Sequence, residues 1–89
     1  MRLVRRTSQF KSDVKRQVKR GKDLSALRKL IEQLVERGSL AANYHDHPLV
    51  GGYNGARECH IETNWLLIYE INQEELILIR TGTHSDLFE

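Results

Sequence analysis

The sequence predicts an α+β domain in which an antiparallel sheet carries two helices on one face, in the order β-α-α-β-β-β with one optional further strand. Three observations predict it. Apolar residues recur at helical spacing in two successive stretches before Gly38. Between Arg57 and Thr81 the pattern changes to strand formers with period two. Gly21 and Gly38 punctuate the helical stretches, and a Pro- and Gly-bearing segment separates them from the strands. The 89 residues make a single domain, residues 1–89, near the lower end of what folds on one core.

Met1 to Arg6 (MRLVRR) sets Leu3 and Val4 between basic residues and reads as a weak first strand. Thr7 or Ser8 is the N-cap of the helix that follows. Phe10, Val14 and Val18 recur every four residues and share one face, with Lys11, Lys15, Arg16, Lys19 and Arg20 covering much of the rest. Gly21 ends this helix. Asp23 caps a second, whose broad stripe is Leu24, Leu27, Leu30, Ile31, Leu34 and Val35 and whose stop is Gly38. The two form an antiparallel hairpin, and the strands are the natural cover for both stripes. Residues 39–43 connect. Asp46 to Gly55 carries Pro48, Gly51, Gly52 and the tight-turn pair Asn54-Gly55. In Arg57 to Glu62 (RECHIE), Cys59 and Ile61 point one way and Glu58, His60 and Glu62 the other. Thr63-Asn64 turns the chain into Trp65 to Ile71. The polar NQEE then leads to Leu76 to Thr81, which completes an antiparallel three-stranded meander. One sheet face is dry against the helices, and the other is free to present His60.

Charge and composition narrow the function classes. Fourteen Lys and Arg against twelve Asp and Glu give a net charge of +2, unevenly spread. Residues 1–30 hold eleven basic and two acidic side chains (+9), and residues 31–89 hold three and ten (−7). A basic first third fits a polyanion or an acidic partner protein, although a solvated helix face has the same composition. A single cysteine, Cys59, excludes an internal disulfide and suits a reducing compartment. No apolar run nears the ~20 residues of a membrane span, and the basic N-terminus lacks the apolar centre of a signal peptide, so a cytoplasmic protein is expected. The small size leaves little room for a buried cofactor, and none is expected.

The candidate chemistry lies in histidines. Three of the four, His45, His47 and His60, fall between Tyr44 and Trp65, and His84 follows the last strand. Imidazole titrates near ~6.5 and can both take and give a proton at neutral pH. Cutting RNA without a metal requires that a 2′-hydroxyl lose a proton and a departing 5′-oxygen gain one, and two histidines fit both roles. A cation beside the phosphate stabilises the added charge, and flat aromatics hold splayed bases. His47, His60 and His84 supply the proton-transfer groups, Arg57 and Arg80 the cation, and Trp65 and Phe88 the stacking surfaces. Each has a plainer reading. His60 equally suits a solvent-facing strand position, His47 a cap of the turn at Pro48, Trp65 and Cys59 the core, and His45 the surface. A metal site from His45, Asp46, His47, Cys59 and His60 matches no zinc spacing, and no metal is expected.

Two motifs carry a resemblance. DHPLVGGYNGARECHIETNWLLIYE (46–70) and RTGTHSDLF (80–88) resemble the YafQ branch of the RelE/ParE superfamily, the RelE-like toxins of bacterial type II toxin–antitoxin pairs. The likeness extends to the basic first helix and the Leu-rich second, so it spans nearly the whole chain. It implies a RelE-like fold and a ribosome-dependent, metal-independent endoribonuclease, an mRNA interferase, that cleaves translated mRNA and is held inactive by a cognate antitoxin. The resemblance implies catalytic roles for His47, His60 and His84. It puts the family's acidic residue on Asn64 and its C-terminal aromatic on Phe88. Asn64 is a departure, because an amide cannot serve as a carboxylate base, and Glu58 and Glu62 are candidate substitutes. Lys11, Lys15, Arg16, Lys19 and Arg20 would meet ribosomal RNA through phosphate contacts, or an acidic antitoxin segment. The free protein is expected to be a monomer, and a hetero-oligomer with its antitoxin. The alternative is a toxin of the same fold that acts by binding alone, on the ribosome or on DNA gyrase, since fold does not fix function.

Overall fold

The computed structural model describes residues 1–49 and 55–88. The glycines Gly51 and Gly52 and the first half of the Asn54-Gly55 turn lie outside the described residues. Strand β1 (Leu3–Arg6) is followed by helices α1 (Ser8–Lys19) and α2 (Ser25–Arg37). A 3₁₀ turn (Ala42–Tyr44) and a two-residue strand, β2 (His47–Pro48), lead to β3 (Arg57–Glu62), β4 (Trp65–Ile71) and β5 (Glu75–Gly82), and a short helix, α3 (His84–Phe88), comes last.

The five strands form one sheet in the order β1-β5-β4-β3-β2. The meander is antiparallel throughout, with Glu58 opposite Ile68 and Leu67 opposite Thr81. The expectation of a wholly antiparallel sheet needs correction, because β1 pairs with β5 in parallel, Leu3 opposite Glu75 and Arg6 opposite Leu78. The α1–α2 hairpin carries the chain away from β1, and β5 enters the sheet between β1 and β4, running the same way as β1. The sheet is therefore mixed. Its strands are irregular at two points: between His60 and Glu62 on β3, and opposite Ile68 and Tyr69, where β5 carries Ile79 as an extra residue.

The main core lies between the helices and one sheet face: Phe10, Leu27, Leu30 and Leu34 pack against Cys59, Trp65, Leu67, Tyr69, Leu76 and Leu78. Leu30 and Leu34 are fully buried, each worth about 1.5–3 kcal/mol relative to exposure. The opposite face is not left bare, as the alternation alone implied. Ala56, Leu66 and Ile68 form a second, smaller cluster there, covered by Leu87 of α3.

Helix α1 starts at the expected place. Thr7 is its N-cap: the Oγ1 accepts from the Phe10 N–H at 3.0 Å and donates to the Ile79 carbonyl at 2.7 Å. Of the expected Phe10–Val14–Val18 line, Phe10 and Val14 meet the main core and Val18 does not. Val18 is half exposed, and the buried positions are Phe10, Asp13 and Gln17. The cause is polar. Asp13 accepts both the Arg80 Nε and Nη2 at 3.0 Å and the Thr81 N–H at 3.2 Å, which turns that side of the helix inward. For α2 the N-cap position falls on Leu24, which has no side-chain cap bond, rather than on the expected Asp23; Asp23 instead accepts the Ser25 N–H at 2.9 Å from one residue further out. Gly38 closes the helix in a left-handed conformation, φ 73°.

Candidate active site

Antiparallel pairing places directly opposed residues on the same face. His47 on β2 stands opposite Glu58 on β3, and His60 lies two residues further along β3 on the side of Glu58. The consequence is a buried carboxylate between two imidazoles. Glu58 Oε1 is 3.4 Å from His47 Nε2 and 3.9 Å from His60 Nε2. Both are ion-pair distances, the His47 contact the closer of the two. His47 Nδ1 lies 2.8 Å from the His45 carbonyl. A carbonyl only accepts, so Nδ1 carries the proton and the ring orientation is fixed. Its Nε2 faces the Glu58 carboxylate.

The row His60–Leu66–Gly82 crosses three strands. At about 4.8 Å per strand, His60 and Gly82 have Cα atoms about 10 Å apart. His84 follows Gly82 by two residues as the first residue of α3, so it lies at the same end of the sheet as His60. Its ring leans on Phe88, one helical turn on, with centroids 5.0 Å apart. Phe88 is 38% exposed. Asn64 reaches α3 rather than an imidazole: its Oδ1 accepts the His84 backbone N–H at a long 3.4 Å.

Helix α3 is held in place by Asp86. The chain Thr83-His84-Ser85-Asp86 is a capping box, with the Thr83 Oγ1 accepting the Asp86 N–H and the Asp86 carboxylate accepting the Thr83 N–H. The same carboxylate takes Arg20 Nη1 at 2.6 Å and Nη2 at 3.0 Å, with Arg16 Nη1 at 3.7 Å. The Arg20 guanidinium, with help from Thr83, holds the Asp86 carboxyl well below the usual carboxylate range. Two of the five basic residues expected to meet RNA thus have an internal partner. Lys11, Lys15 and Lys19 remain on exposed positions of α1.

Three expectations fare differently from the histidines. Trp65 is fully buried, and its indole N–H donates to Thr81 Oγ1 at 2.9 Å; it is a core residue and offers no face to a base. Arg57 lies on the helix-covered side with Tyr69. Its Nε donates to Asp46 Oδ1 at 3.1 Å, an oxygen that also accepts the Tyr69 hydroxyl at 2.8 Å, so it is turned away from His60. Arg80 forms its two-pronged pair with Asp13 and keeps its side chain only 19% exposed. The metal arrangement does not assemble. Cys59 is inside the main core, its thiol pushed up by burial, while Asp46 is engaged by Arg57 and Tyr69. Among the described residues no group of three His, Cys, Asp or Glu could hold an ion.

Two residues stand at the site that no local pattern singles out. His45, expected at the surface, sets its ring edge-on to His60 with centroids 5.4 Å apart. Its position depends on a left-handed backbone, φ 51°, which no periodicity reveals. Lys22 follows the Gly21 turn and reaches Glu62 Oε1 at 2.7 Å, bringing a cation to the end of β3.

Among the described residues no helix is long and apolar enough to cross a membrane. The family model for the bacterial toxin of type II toxin–antitoxin system, YafQ, matches residues 2–89. The mRNA interferase toxin YafQ of Escherichia coli strain K12 is 41% identical over 88 residues, covering 98% of this chain and 96% of that protein. The toxin in the crystal structure of the E. coli DinJ–YafQ complex superposes with a TM-score of 0.91 at 40% identity over the whole of both chains. A metal-bound toxin from Helicobacter pylori superposes with a TM-score of 0.89 at 43% identity, over 99% of this chain and 100% of that one.

Proposed function

This chain belongs to the YafQ family of bacterial type II toxin–antitoxin toxins, and on that premise we propose that it is an mRNA interferase, an endoribonuclease that cuts message on the ribosome by proton transfer between histidines. His60 and His84 form the acid–base pair. One takes the proton of the 2′-hydroxyl as O2′ bonds to phosphorus; the other gives a proton to the departing O5′ as the P–O5′ bond breaks. The products are a 2′,3′-cyclic phosphate and a 5′-hydroxyl. His47 and Glu58 keep charge and orientation at His60. Phe88 stacks on a base. Lys11, Lys15 and Lys19 meet ribosomal RNA or an acidic segment of the antitoxin. The toxin acts in the cytoplasm, is a monomer when free, and is silenced in a complex with its antitoxin.

The observation that carries this reading is the Glu58 carboxylate between His47 and His60, on the sheet face whose far strand leads into His84. A protein that only binds has no need of such an arrangement. The test is His60→Ala and His84→Ala, each compared with the parent in a translation reaction. Both should lose mRNA cutting and growth arrest while keeping the parent's circular dichroism and melting curve. Full activity in both removes the mechanism. Cutting that survives chelation supports chemistry by the chain's own side chains. Intact message beside blocked translation or replication favours the rival reading, a non-catalytic toxin, for which Asn64 in place of an acid is the one favouring feature.

A further inference from the structure

We propose that the hollow beside His60, walled by Tyr44, His45, Ile61 and Glu62, is a nucleobase subsite that seats the base of a nucleotide next to the scissile phosphate and so sets where the message is cut. The proposal rests on the endoribonuclease reading and deepens it. The hollow is about 480 Å³, with Asn43 and Thr63 completing its rim.

Two backbone irregularities converge there. In a regular strand His60 and Ile61 would point to opposite faces. The pairing of β3 with β4 shifts between His60 and Glu62, leaving Ile61 without a partner, and this lets three consecutive residues line one hollow. Across from them, His45 is the one non-glycine residue with positive φ among the described residues. That conformation costs a residue with a Cβ on the order of 1 kcal/mol. It brings the His45 carbonyl to His47 Nδ1 and its ring edge-on to His60. One strained residue therefore touches His60, touches the His47 that orients it, and walls the hollow as well.

The lining suits a flat heteroaromatic ring. Ile61 and the rings of Tyr44 and His45 supply apolar faces, while Asn43, Glu62 and Thr63 supply hydrogen-bonding atoms at the edge. Glu62 would repel a nucleotide if alone, but Lys22 Nζ sits 2.7 Å from its Oε1. The rim is thus neutralised, and an ammonium stands within reach of the phosphate that a bound base would bring.

His45→Asn is the informative variant, since Asn tolerates the left-handed backbone and keeps the carbonyl while removing the ring. Cut sites are mapped by primer extension on translated messages, alongside kcat and KM. The expected result is a redrawn cut map, with cutting at the parent's favoured base down about tenfold and most of the loss in KM. A second measurement titrates the parent with a non-cleavable 2′-O-methyl trinucleotide and follows the NMR signals of His45 and Ile61, which should shift. An unchanged cut map and KM in His45→Asn overturns the subsite while leaving the endoribonuclease intact. Loss of all cutting with no trinucleotide-induced shift at His45 or Ile61 also overturns it, because His45 would then act only through His47 and His60. A parent protein that cuts nothing removes both readings.

Discussion

Removing the Asp13 carboxylate should come close to unfolding the protein. Asp13 is 1% exposed and receives two guanidinium N–H groups of Arg80 and the Thr81 amide, with Gln9 Nε2 at 3.4 Å as a fourth donor. Asp13→Ala strips Arg80 of this counter-charge and deprives a buried amide of its acceptor. Breaking a buried ion pair costs about 3–5 kcal/mol. Arg80 keeps some exposure, which favours the lower figure. At roughly 4–8 °C per kcal/mol for a domain of this size, even about 3 kcal/mol lowers Tm by at least roughly 12 °C. A double replacement, Asp13→Leu with Arg80→Met, removes both charges and should regain all but the about 1–3 kcal/mol owed to the Thr81 amide. Urea denaturation followed by the fluorescence of Trp65, the single tryptophan, measures all three proteins. A loss under about 1 kcal/mol in Asp13→Ala, or a double variant no more stable than the single one, would refute the reasoning.

Asp86 makes a prediction about acid. Its carboxyl is held below its ordinary range, so the unfolded chain, where Asp titrates near about 3.9, takes up the proton first as pH falls. The stabilisation is whole above that value and is lost as pH falls through the lower, folded-state value. Asp86→Asn should therefore be less stable than the parent at neutral pH and show a shallower loss below about pH 4; parallel urea midpoints across that range would contradict it. Gly82→Ala should displace α3, because a Cβ there would lie 2.9 Å from the Asp86 Cβ and Oδ2. Since misplacing a reacting group by about 1 Å can cost about a hundredfold, cutting should fall by about tenfold or more. Parent-like activity in Gly82→Ala would show that the exact seat of His84 does not matter.

Local pattern carried much of the fold. The Leu-rich stripe of α2, the alternation in β3 and the glycine stops were all legible because they depend on near neighbours in the chain. Long-range polar pairing was not. Asp13 and Arg80 stand 67 positions apart, and nothing near Asp13 says that it is buried; the apolar line therefore placed Val18 inward where Asp13 and Gln17 are. The same holds for β1, whose four exposed residues carry no alternation to indicate a partner or a direction. At the candidate site, Glu58 was readable as a neighbour of His60 by alternation, but its position opposite His47 required the pairing of β2. Helix α3 was readable and was missed: Thr83 and Asp86 have capping-box spacing. Trp65 gave no local clue, since strand tryptophans serve cores and ligands alike, and only its bond to Thr81 decides.

The parallel pairing of β1 with β5 bears on how the polypeptide is born. Leu3 finds its strand neighbour at Glu75, and β5 is the second strand from one edge, joining β1 to everything else. Loop closure over such a span is slow, and its reward arrives only when the distant segment exists. A nascent chain that ends before Glu75 has nothing to hold β1 and no anchor for Asp13. The sheet gains its β1 edge only once that last strand is in place.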